Sequence, residues 1–517
     1  MASKVNMKFA AILAAAVMVV VVGVVGVAAL TLRNTGDEYI ARGDAAVAAG
    51  DLELAAEHYS RAVNKDRTRI DWLEKWRGTL IQLTPETQVA YERSYNRHYL
   101  GILEQMAVIE YNVPARQREL LEEKYEQAIT LFPTALQFWQ NFTALVKQRV
   151  DPLDQSSAEA RSLWRFRGLA ILAQMMLTDI DEVTSQQGLT DLRAAIEADP
   201  TDFEVARGIV LWHTIKWRRA HLDRRTIDAR RLDAELTQAL DDFSAGFPDH
   251  FDSTLTALEV KIEQLSVREA NDAAERAMIR DLVGEETTIV AAFRQANTDD
   301  ITPNHLARLD VALRRLDAPE RHEQMLEIIQ RSAAADPNNP RLITLQSGTL
   351  GTLGRFDEAI ALIQNYLELP REPISLAGMV QRYYRPQALQ KLAEQALAKW
   401  EQDETEEDKA ASITIARDAL TELSTSTAGG EQSQEALTVQ GKLAQAEDRH
   451  AEAVRIFTEL VEKRGQADSD TRWRLADSLR SANQLGAAKQ QLHIMLENDP
   501  LNLRALLTLA DAPAGGR

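Results

Sequence analysis

The segment of residues 216–231, KWRRAHLDRRTIDARR, is strongly basic within an acidic chain. Its seven Lys and Arg residues face two Asp residues, a local balance of +5 in a chain of formal net charge −19. Guanidinium groups bind carboxylates and phosphates through paired hydrogen bonds, and an indole can stack on a guanidinium or on a ligand. The candidate partner-binding residues are Lys216, Trp217, Arg218, Arg219, Arg224, Arg225, Arg230 and Arg231.

Two interpretations of this segment are open. In the first, it is a docking patch for an acidic peptide, an anionic glycan or lipid head groups. In the second, its arginines pair with acids of the same chain between neighbouring helices, because 78 Asp and Glu residues outnumber 59 Lys and Arg residues. Helical spacing favours the second interpretation, since Arg218, Arg225 and Arg230 cannot all lie on one helix face.

Patterns typical of catalytic and metal sites do not occur in the sequence. There is no glycine-rich phosphate loop followed by Lys and Ser or Thr, no G-x-S-x-G motif and no HExxH motif. His213 and His221 would lie about 12 Å apart along a helix, too far to share a metal ion. The absence of cysteine excludes disulfide scaffolds, zinc ribbons, iron–sulfur clusters and thiol nucleophiles. We therefore expect no catalytic residue, metal or cofactor.

Length and charge limit the class of protein. The 517 residues allow three to five ordinary domains or one long repeat array. With 45% hydrophobic residues the chain can bury a core, and Ala, Leu, Glu, Gln and Arg, which favour helices, dominate it. A net charge of −19 repels nucleic acid, so we expect no nucleic-acid partner.

Residues 9–32, FAAILAAAVMVVVVGVVGVAALTL, form an uncharged apolar run. A helix of this length rises about 36 Å, enough to cross a hydrocarbon core of about 30 Å. Lys4 and Lys8 precede the run, so the positive-inside rule predicts residues 1–8 in the cytoplasm and the rest of the chain outside it. We interpret the run as an uncleaved signal-anchor. The alternative is secretion after signal cleavage, although a signal peptide usually has an apolar core of about 7–15 residues.

The stretch that follows the apolar run has the periodicity of two short paired helices. Gly43, Ala55, Tyr59 and Ala62 are separated by twelve, four and three residues. Small residues at these positions allow two helices to approach closely, and the large ring of Tyr59 fills the space between them. Gly50 and the residue after it predict a helix end followed by a helix start.

The offsets of twelve and four residues recur elsewhere in the chain. They are found at Gly441, Ala453 and Phe457, at Ser347, Ala359 and Ile363, and at Ala476, Ala488 and Leu492. This pattern resembles the tetratricopeptide repeat (TPR) family, clearly in residues 36–66, 338–370 and 434–500 and weakly in residues 67–335. The resemblance implies a right-handed superhelix of stacked helix pairs, whose concave groove binds peptides or partner helices and which is rarely catalytic.

The predicted fold is all-α, a TPR-like solenoid of antiparallel helix pairs preceded by one transmembrane helix. The predicted segments are a cytoplasmic N-terminus (1–8), the transmembrane anchor (9–32), a TPR-like unit (36–66), an irregular helical-repeat region (67–335), a TPR-like helical region (338–423), a linker (424–433), C-terminal TPR-like units (434–511) and a disordered tail (512–517).

This organisation predicts a membrane-tethered scaffold or chaperone-like adaptor of a bacterial envelope. Its partners would be proteins or peptides bound in the repeat groove, and residues 9–32 would hold it in the cytoplasmic membrane. The alternative is an envelope enzyme, or its regulatory subunit, with a site within residues 67–335. A reversed topology would instead place the repeats in the cytoplasm.

Overall fold

The computed structural model describes most of the chain after the N-terminal apolar run. The described residues are 35–223, 226–248, 250–267, 289–298, 301–315, 322–427, 429–463 and 468–498, with the isolated residues 18, 505, 508 and 509. Within these ranges the regular structure is helical and no strand occurs.

The helices follow one another with short connections. In the first half they are α1 (Gly36–Ala48), α2 (Leu52–Lys65), α3 (Ile70–Leu80), α4 (Gln88–Arg93), α5 (Leu100–Ile109), α6 (Pro114–Leu131), α7 (Leu136–Val150), α8 (Ala158–Ser162), α9 (Trp164–Leu177), α10 (Glu182–Ala198), α11 (Phe203–Leu222), α12 (Thr226–Gly246) and α13 (Phe251–Val267). In the second half they are α14 (Pro303–Arg315), α15 (His322–Ala335), α16 (Pro340–Thr352), α17 (Phe356–Leu367), α18 (Leu376–Trp400), α19 (Glu406–Ser426), α20 (Gln434–Ala446), α21 (His450–Thr458), α22 (Ser469–Ser481) and α23 (Leu485–Asn498). Ser94–Tyr99 and Glu459–Lys463 are π-helical, and Gly430–Gln432 is a 3₁₀ turn.

Side-chain caps set the start of the first helices. Thr35 Oγ1 accepts a hydrogen bond from the Glu38 N–H at 3.3 Å, and the Glu38 carboxylate accepts one from the Thr35 N–H at 3.2 Å, which forms a capping box. Gly50 has φ of +80° between α1 and α2, a conformation that favours glycine. The next residue, Asp51, caps α2 by accepting from the Leu54 N–H at 3.0 Å. The predicted turn and cap between the first two helices are confirmed.

The first helix pair packs a glycine against an aromatic ring. A Cβ on Gly43 of α1 would lie 2.5 Å from the ring of Tyr59 of α2, so the ring occupies the space that any side chain would need. Ala55 and Ala62, on the same face of α2, are fully buried. The offsets found in the sequence therefore record the contact between two antiparallel helices.

The same arrangement occurs in the later pairs. In α20 and α21, a Cβ on Gly441 would lie 2.7 Å from the Phe457 ring, and Ala453 is fully buried. In α16 and α17, Ser347 and Ala359 are also fully buried. Each described pair with these offsets thus buries its small residues at the helix–helix contact. The chain is a TPR-like array of helix pairs.

The chain divides into two compact units. The first unit comprises Met1–Ile129, Phe142–Phe166 and Glu372–Met379, and the second comprises Thr130–Asn141, Arg167–Arg371 and Val380–Arg517. In the second unit, successive helix pairs bury separate apolar clusters. One cluster lies around Leu255 and Leu309, another around Leu392 and Leu443.

The first unit includes a short segment from far along the chain. This segment, Glu372–Met379, is called the 372–379 strap. The buried Tyr91 hydroxyl donates a hydrogen bond to the Pro373 carbonyl and accepts one from the Ser375 N–H at 3.1 Å. The Ile374 N–H donates to the Leu83 carbonyl at 2.8 Å. Three backbone groups of the strap are therefore satisfied by the first unit.

The structure corrects the predicted membrane topology. Among the described residues, no helix is both long enough and apolar enough to cross a membrane. The long helices carry charges along one face, as α11 does with Arg207, Lys216 and Arg218. This finding contradicts the predicted localisation as a single-pass membrane protein, which is withdrawn. The run of residues 9–32, apart from Met18, lies outside the described residues, as do the predicted cytoplasmic residues 1–8 and the predicted tail 512–517.

Candidate partner-binding groove

A large cavity lies along α11 in the second unit. Its volume is about 1930 Å³, and residues of α9 to α14, between Met175 and Val311, line it. We call this cavity the α11 groove. It contains most of the described residues of the basic segment that was singled out in the sequence.

The sequence fixes α11 firmly against its neighbours. Asp202 caps the helix by accepting a hydrogen bond from the Val205 N–H at 3.1 Å. From there α11 extends for 20 residues, which is about 30 Å at the α-helical rise. Its inner face joins one apolar cluster with α12, and the members of that cluster include Ala206, Val210, Trp217, Leu232, Leu236 and Phe243.

Trp217 belongs to the packing between α11 and α12. Its side chain is fully buried, and its indole N–H donates a hydrogen bond to Asp233 Oδ1 at 2.6 Å. The indole ring centre lies 4.1 Å from that of His221, one turn further along α11. In this arrangement the ring is used between two helices of the same unit.

The first two cations of the basic segment pair with acids on flanking helices. Lys216 forms an ion pair with Glu182 of α10, and its ammonium lies 5.7 Å from the ring centre of Trp212. Arg218 Nε lies 2.9 Å from Glu263 Oε1 of α13. Neighbouring cations of α11 therefore reach helices on opposite sides.

Arg219 holds the end of α9. Its Nη2 donates hydrogen bonds to the carbonyls of Met175 at 2.8 Å and Thr178 at 2.9 Å, and lies 3.1 Å from the carboxylate of Asp179. The last carbonyls of a helix have no partner within it, and a nearby cation both satisfies them and interacts well with the helix dipole. Arg219 is therefore a side-chain cap for α9.

The remaining basic residues lie on or before α12. Arg231 Nη1 lies 2.7 Å from Glu235, and its Nη2 lies 3.8 Å from Asp228. Arg230 is exposed. Arg224 and Arg225 lie outside the described residues.

The structure thus brings Lys216, Arg218, Arg219 and Arg231 to one groove, each beside an acid of the same chain. Pairs of this kind are those that the second interpretation describes. The role of these residues in binding a partner stays a prediction.

A buried network of charges, which the sequence did not indicate, crosses the floor of the groove. Arg308 of α14 binds Asp252 of α13 through Nη1 at 2.7 Å. The same guanidinium binds Glu259 through Nε at 2.8 Å and Nη2 at 2.7 Å. Arg207 of α11 lies 3.8 Å from Asp252 and 3.6 Å from Glu259. The network therefore joins three helices that are about 50 residues apart in sequence.

The network keeps Asp252 ionised although the residue is buried. Burial by itself would raise the pKa of Asp252, but contact with His305, at 3.4 Å, and the charges of Arg308 and Arg207 lower it to about 2. The carboxylates Asp252 and Glu259 also raise the pKa of Arg308. Two carboxylates and two guanidinium groups thus neutralise one another inside the fold, as buried charges require.

His213 lines the groove and is almost completely buried. Its Nδ1 has no hydrogen-bond partner among the described residues, and Glu235 Oε2 is 3.8 Å away. Burial lowers the pKa of His213, so the ring is neutral at physiological pH. A buried ring nitrogen without a hydrogen bond is available to a group that enters the groove.

The groove also exposes large apolar side chains. Met176 at the end of α9 is 67% exposed, Leu222 at the end of α11 is 60% exposed and Val311 of α14 is 52% exposed. All three line the groove. Within the described ranges, no three His, Asp or Glu side chains are placed to hold a metal ion. The groove therefore offers apolar contacts and charges, which suit non-covalent binding.

Comparison with known proteins gives little beyond architecture. No model of a protein family matches the sequence, and no curated protein is significantly similar to it. Among solved structures, the TPR domain of P58(IPK) is 13% identical at a TM-score of 0.19, covering 87% of this chain and 98% of that one. The human IFIT1 dimer with PPP-AAAA is 12% identical at 0.29 (91% and 89%), and the APC/C hetero-tetramer Cut9-Hcn1 is 15% identical at 0.23 (93% and 97%). With all three TM-scores below 0.5, the TPR-like description rests on the helix pairs themselves.

Proposed function

We propose that this protein is a protein-binding scaffold that receives a segment of a partner protein in the α11 groove. The observation that carries the proposal is the size of the groove together with its exposed apolar residues. At about 1930 Å³ it exceeds the roughly 300–1,000 Å³ that is typical of pockets for small molecules. A segment of polypeptide is the ligand whose size fits it.

The exposed apolar side chains support the same proposal. Met176, Leu222 and Val311 are each more than half exposed on the walls of one groove. Leaving such side chains in water is unfavourable, and clusters of them mark binding surfaces on soluble proteins. Helix pairs present such a groove to extended or helical ligands. The alternative of an enzyme or regulatory subunit with a site in residues 67–335 has no observation in its favour among the described residues.

Site-specific crosslinking tests the proposal. A photo-reactive amino acid replaces Leu222 in the groove and, as the control, the exposed Val108 of α5 in the first unit. In cells of the source organism, we expect position 222 to capture a discrete partner that position 108 does not capture. Equal capture at both positions would contradict a binding site in the groove.

Binding of the purified partner then supplies the decisive measurement. Met176→Asp combined with Leu222→Asp places charges on the apolar wall, and titration calorimetry should show at least a tenfold weaker complex. The matched variant Val108→Asp should bind normally, and both proteins should keep the helical circular dichroism of the parent. Unchanged affinity in the double variant would overturn the proposal.

A further inference from the structure

The ion pairs at the α9–α10 end of the groove hold their two charges at different depths. The Lys216 side chain is 19% exposed, whereas that of its partner Glu182 is 69% exposed. The Arg219 side chain is 28% exposed, whereas that of Asp179 is 93% exposed. In both pairs the cation is recessed and the carboxylate reaches solvent.

The recessed cations have work to do inside the fold. The ammonium of Lys216 lies over the Trp212 ring, where the stem of a lysine packs as an apolar chain. Arg219 donates to two carbonyls at the end of α9, so its charge is directed toward the negative end of that helix. A partner that approaches the groove at this end meets the carboxylates first. The sequence, by contrast, is basic here.

Exposed apolar side chains lie beside these carboxylates. Met176 precedes Asp179 by less than one helical turn, and Leu222 follows Arg219 by about one turn of α11. The 3.1 Å contact between Arg219 and Asp179 brings the two segments together. The result is an apolar surface with a negatively charged rim.

The far end of the groove differs. Arg218 is 55% exposed above a Glu263 that is only 19% exposed, so the cation is the outer charge there. His213, between the two ends of α11, adds a buried nitrogen with no hydrogen bond among the described residues. The groove therefore has a direction, with the carboxylates at the α9–α10 end.

We infer that the partner segment is amphipathic and cationic, with Lys or Arg side chains beside Asp179 and Glu182 and apolar side chains against Met176 and Leu222. This inference rests on the proposed function, and it reverses the acidic ligand that the charge count of residues 216–231 suggested. Opposite charges at an exposed rim guide association and set orientation, while the apolar contact supplies most of the affinity. An acidic segment would face the outer carboxylates and be repelled.

Two model peptides serve as probes for the full-length protein. Both form amphipathic helices with the same leucine face, and their polar face is entirely lysine in one and entirely glutamate in the other. Fluorescence anisotropy should show binding of the Leu/Lys peptide and much weaker binding of the Leu/Glu peptide. Raising the salt from about 50 to 300 mM should weaken the Leu/Lys complex, because salt screens exposed charges.

Charge-neutral variants separate a local rim from the general acidity of the chain. Asp179→Asn with Glu182→Gln should weaken binding of the Leu/Lys peptide about three- to tenfold, as expected for two exposed charge contacts. The control, Glu406→Gln with Glu407→Gln, makes the same change of net charge at exposed positions of α19. It should leave the affinity unchanged.

The results distinguish this inference from the function on which it rests. Equal weakening by both double variants, or tighter binding of the Leu/Glu peptide, would overturn the cationic segment. If at the same time Met176→Asp with Leu222→Asp abolished capture of the natural partner, the scaffold proposal would stand without it. If capture also survived the apolar variants, both would fall.

Discussion

A glycine lies beneath an aromatic ring in two of the helix pairs. The ring of Tyr59 fills the position of a side chain at Gly43, and the ring of Phe457 does the same at Gly441. The helices can therefore approach more closely than two ordinary side chains would allow. Glycine disfavours a helix by about 0.8–1 kcal/mol relative to alanine, so its presence here is explained by packing.

This packing predicts opposite effects for one substitution at two positions. Gly441→Ala should lower the free energy of unfolding by about 1–3 kcal/mol, because the new methyl group overlaps the Phe457 ring. Gly348→Ala in α16 meets no atom within 4 Å, so it should be neutral or stabilise by about 0.5–1 kcal/mol. Urea denaturation of the two variants measures both changes. Destabilisation of equal size would mean that the ring contact is not the reason for the glycine.

Alanine at the second position of the offset is constrained in the same way. Ala453 is fully buried in the cluster formed with Phe457 and Leu475. Ala453→Leu should overpack this cluster, cost about 1–3 kcal/mol and lower the melting temperature. Ala451→Leu, two residues earlier on the exposed face of α21, is the matched control and should have little effect. An unchanged melting temperature for Ala453→Leu would contradict the packing.

At the scale of helices, charge rather than apolar contact fixes the register of α11, α13 and α14. Arg308 binds carboxylates at two positions of α13, Asp252 and Glu259, seven residues apart and so on the same face. Arg207 approaches the same carboxylates from α11. Removing one member of such a network leaves a buried charge without its partner, which is strongly unfavourable.

The network makes stability dependent on pH at the acidic end. The folded pKa of Asp252 is about 2, below its ordinary value of 3.8. A lowered folded pKa contributes stability that is complete above about pH 4 and lost as pH falls toward 2, here about 2–3 kcal/mol. Asp252→Asn removes this contribution, so its urea midpoint should fall less than that of the parent between pH 5 and pH 2.

An exposed aspartate gives the comparison for this measurement. Asp241 lies on the surface of α12, and Asp241→Asn should leave the pH dependence of the parent unchanged. If Asp252→Asn and the parent lost stability in parallel, the network would not hold the carboxylate in its ionised form.

Helix pairs could be predicted from the sequence because their contacts are local. Gly43, Ala55 and Tyr59 lie within 17 residues, and the contacts between α1 and α2 repeat with the helical period. The groove could not be predicted in the same way. Arg308 and Asp252 are 56 residues apart, and no spacing connects them. The charge count of the basic segment likewise says nothing about the depth of each charge, which depends on Trp212 and the end of α9.

At the scale of the whole molecule, sequence order and spatial order differ. An array of repeats in which each pair touches only its neighbours would place residues 372–379 beside the pairs that flank them. The 372–379 strap instead belongs to the first unit, where Ile374 is fully buried and Tyr91 binds the backbone on both sides of it. A Cβ on Gly378 would lie 1.9 Å from the Tyr91 hydroxyl oxygen, so this residue too is fitted to the contact.

The strap provides the last prediction. Tyr91→Phe keeps the ring but leaves the Ser375 N–H and the Pro373 carbonyl without the bonds they make to the hydroxyl, which should cost about 1–3 kcal/mol. Hydrogen exchange at Ile374 and Ser375 should then accelerate at least tenfold, because the strap opens more readily. Tyr111→Phe changes an exposed tyrosine of the first unit and should leave this exchange as it is in the parent. Slow exchange in Tyr91→Phe would mean that burial of Ile374 alone holds the strap. Fast exchange confined to this segment would show that one hydroxyl group secures a contact between residues 282 positions apart in sequence.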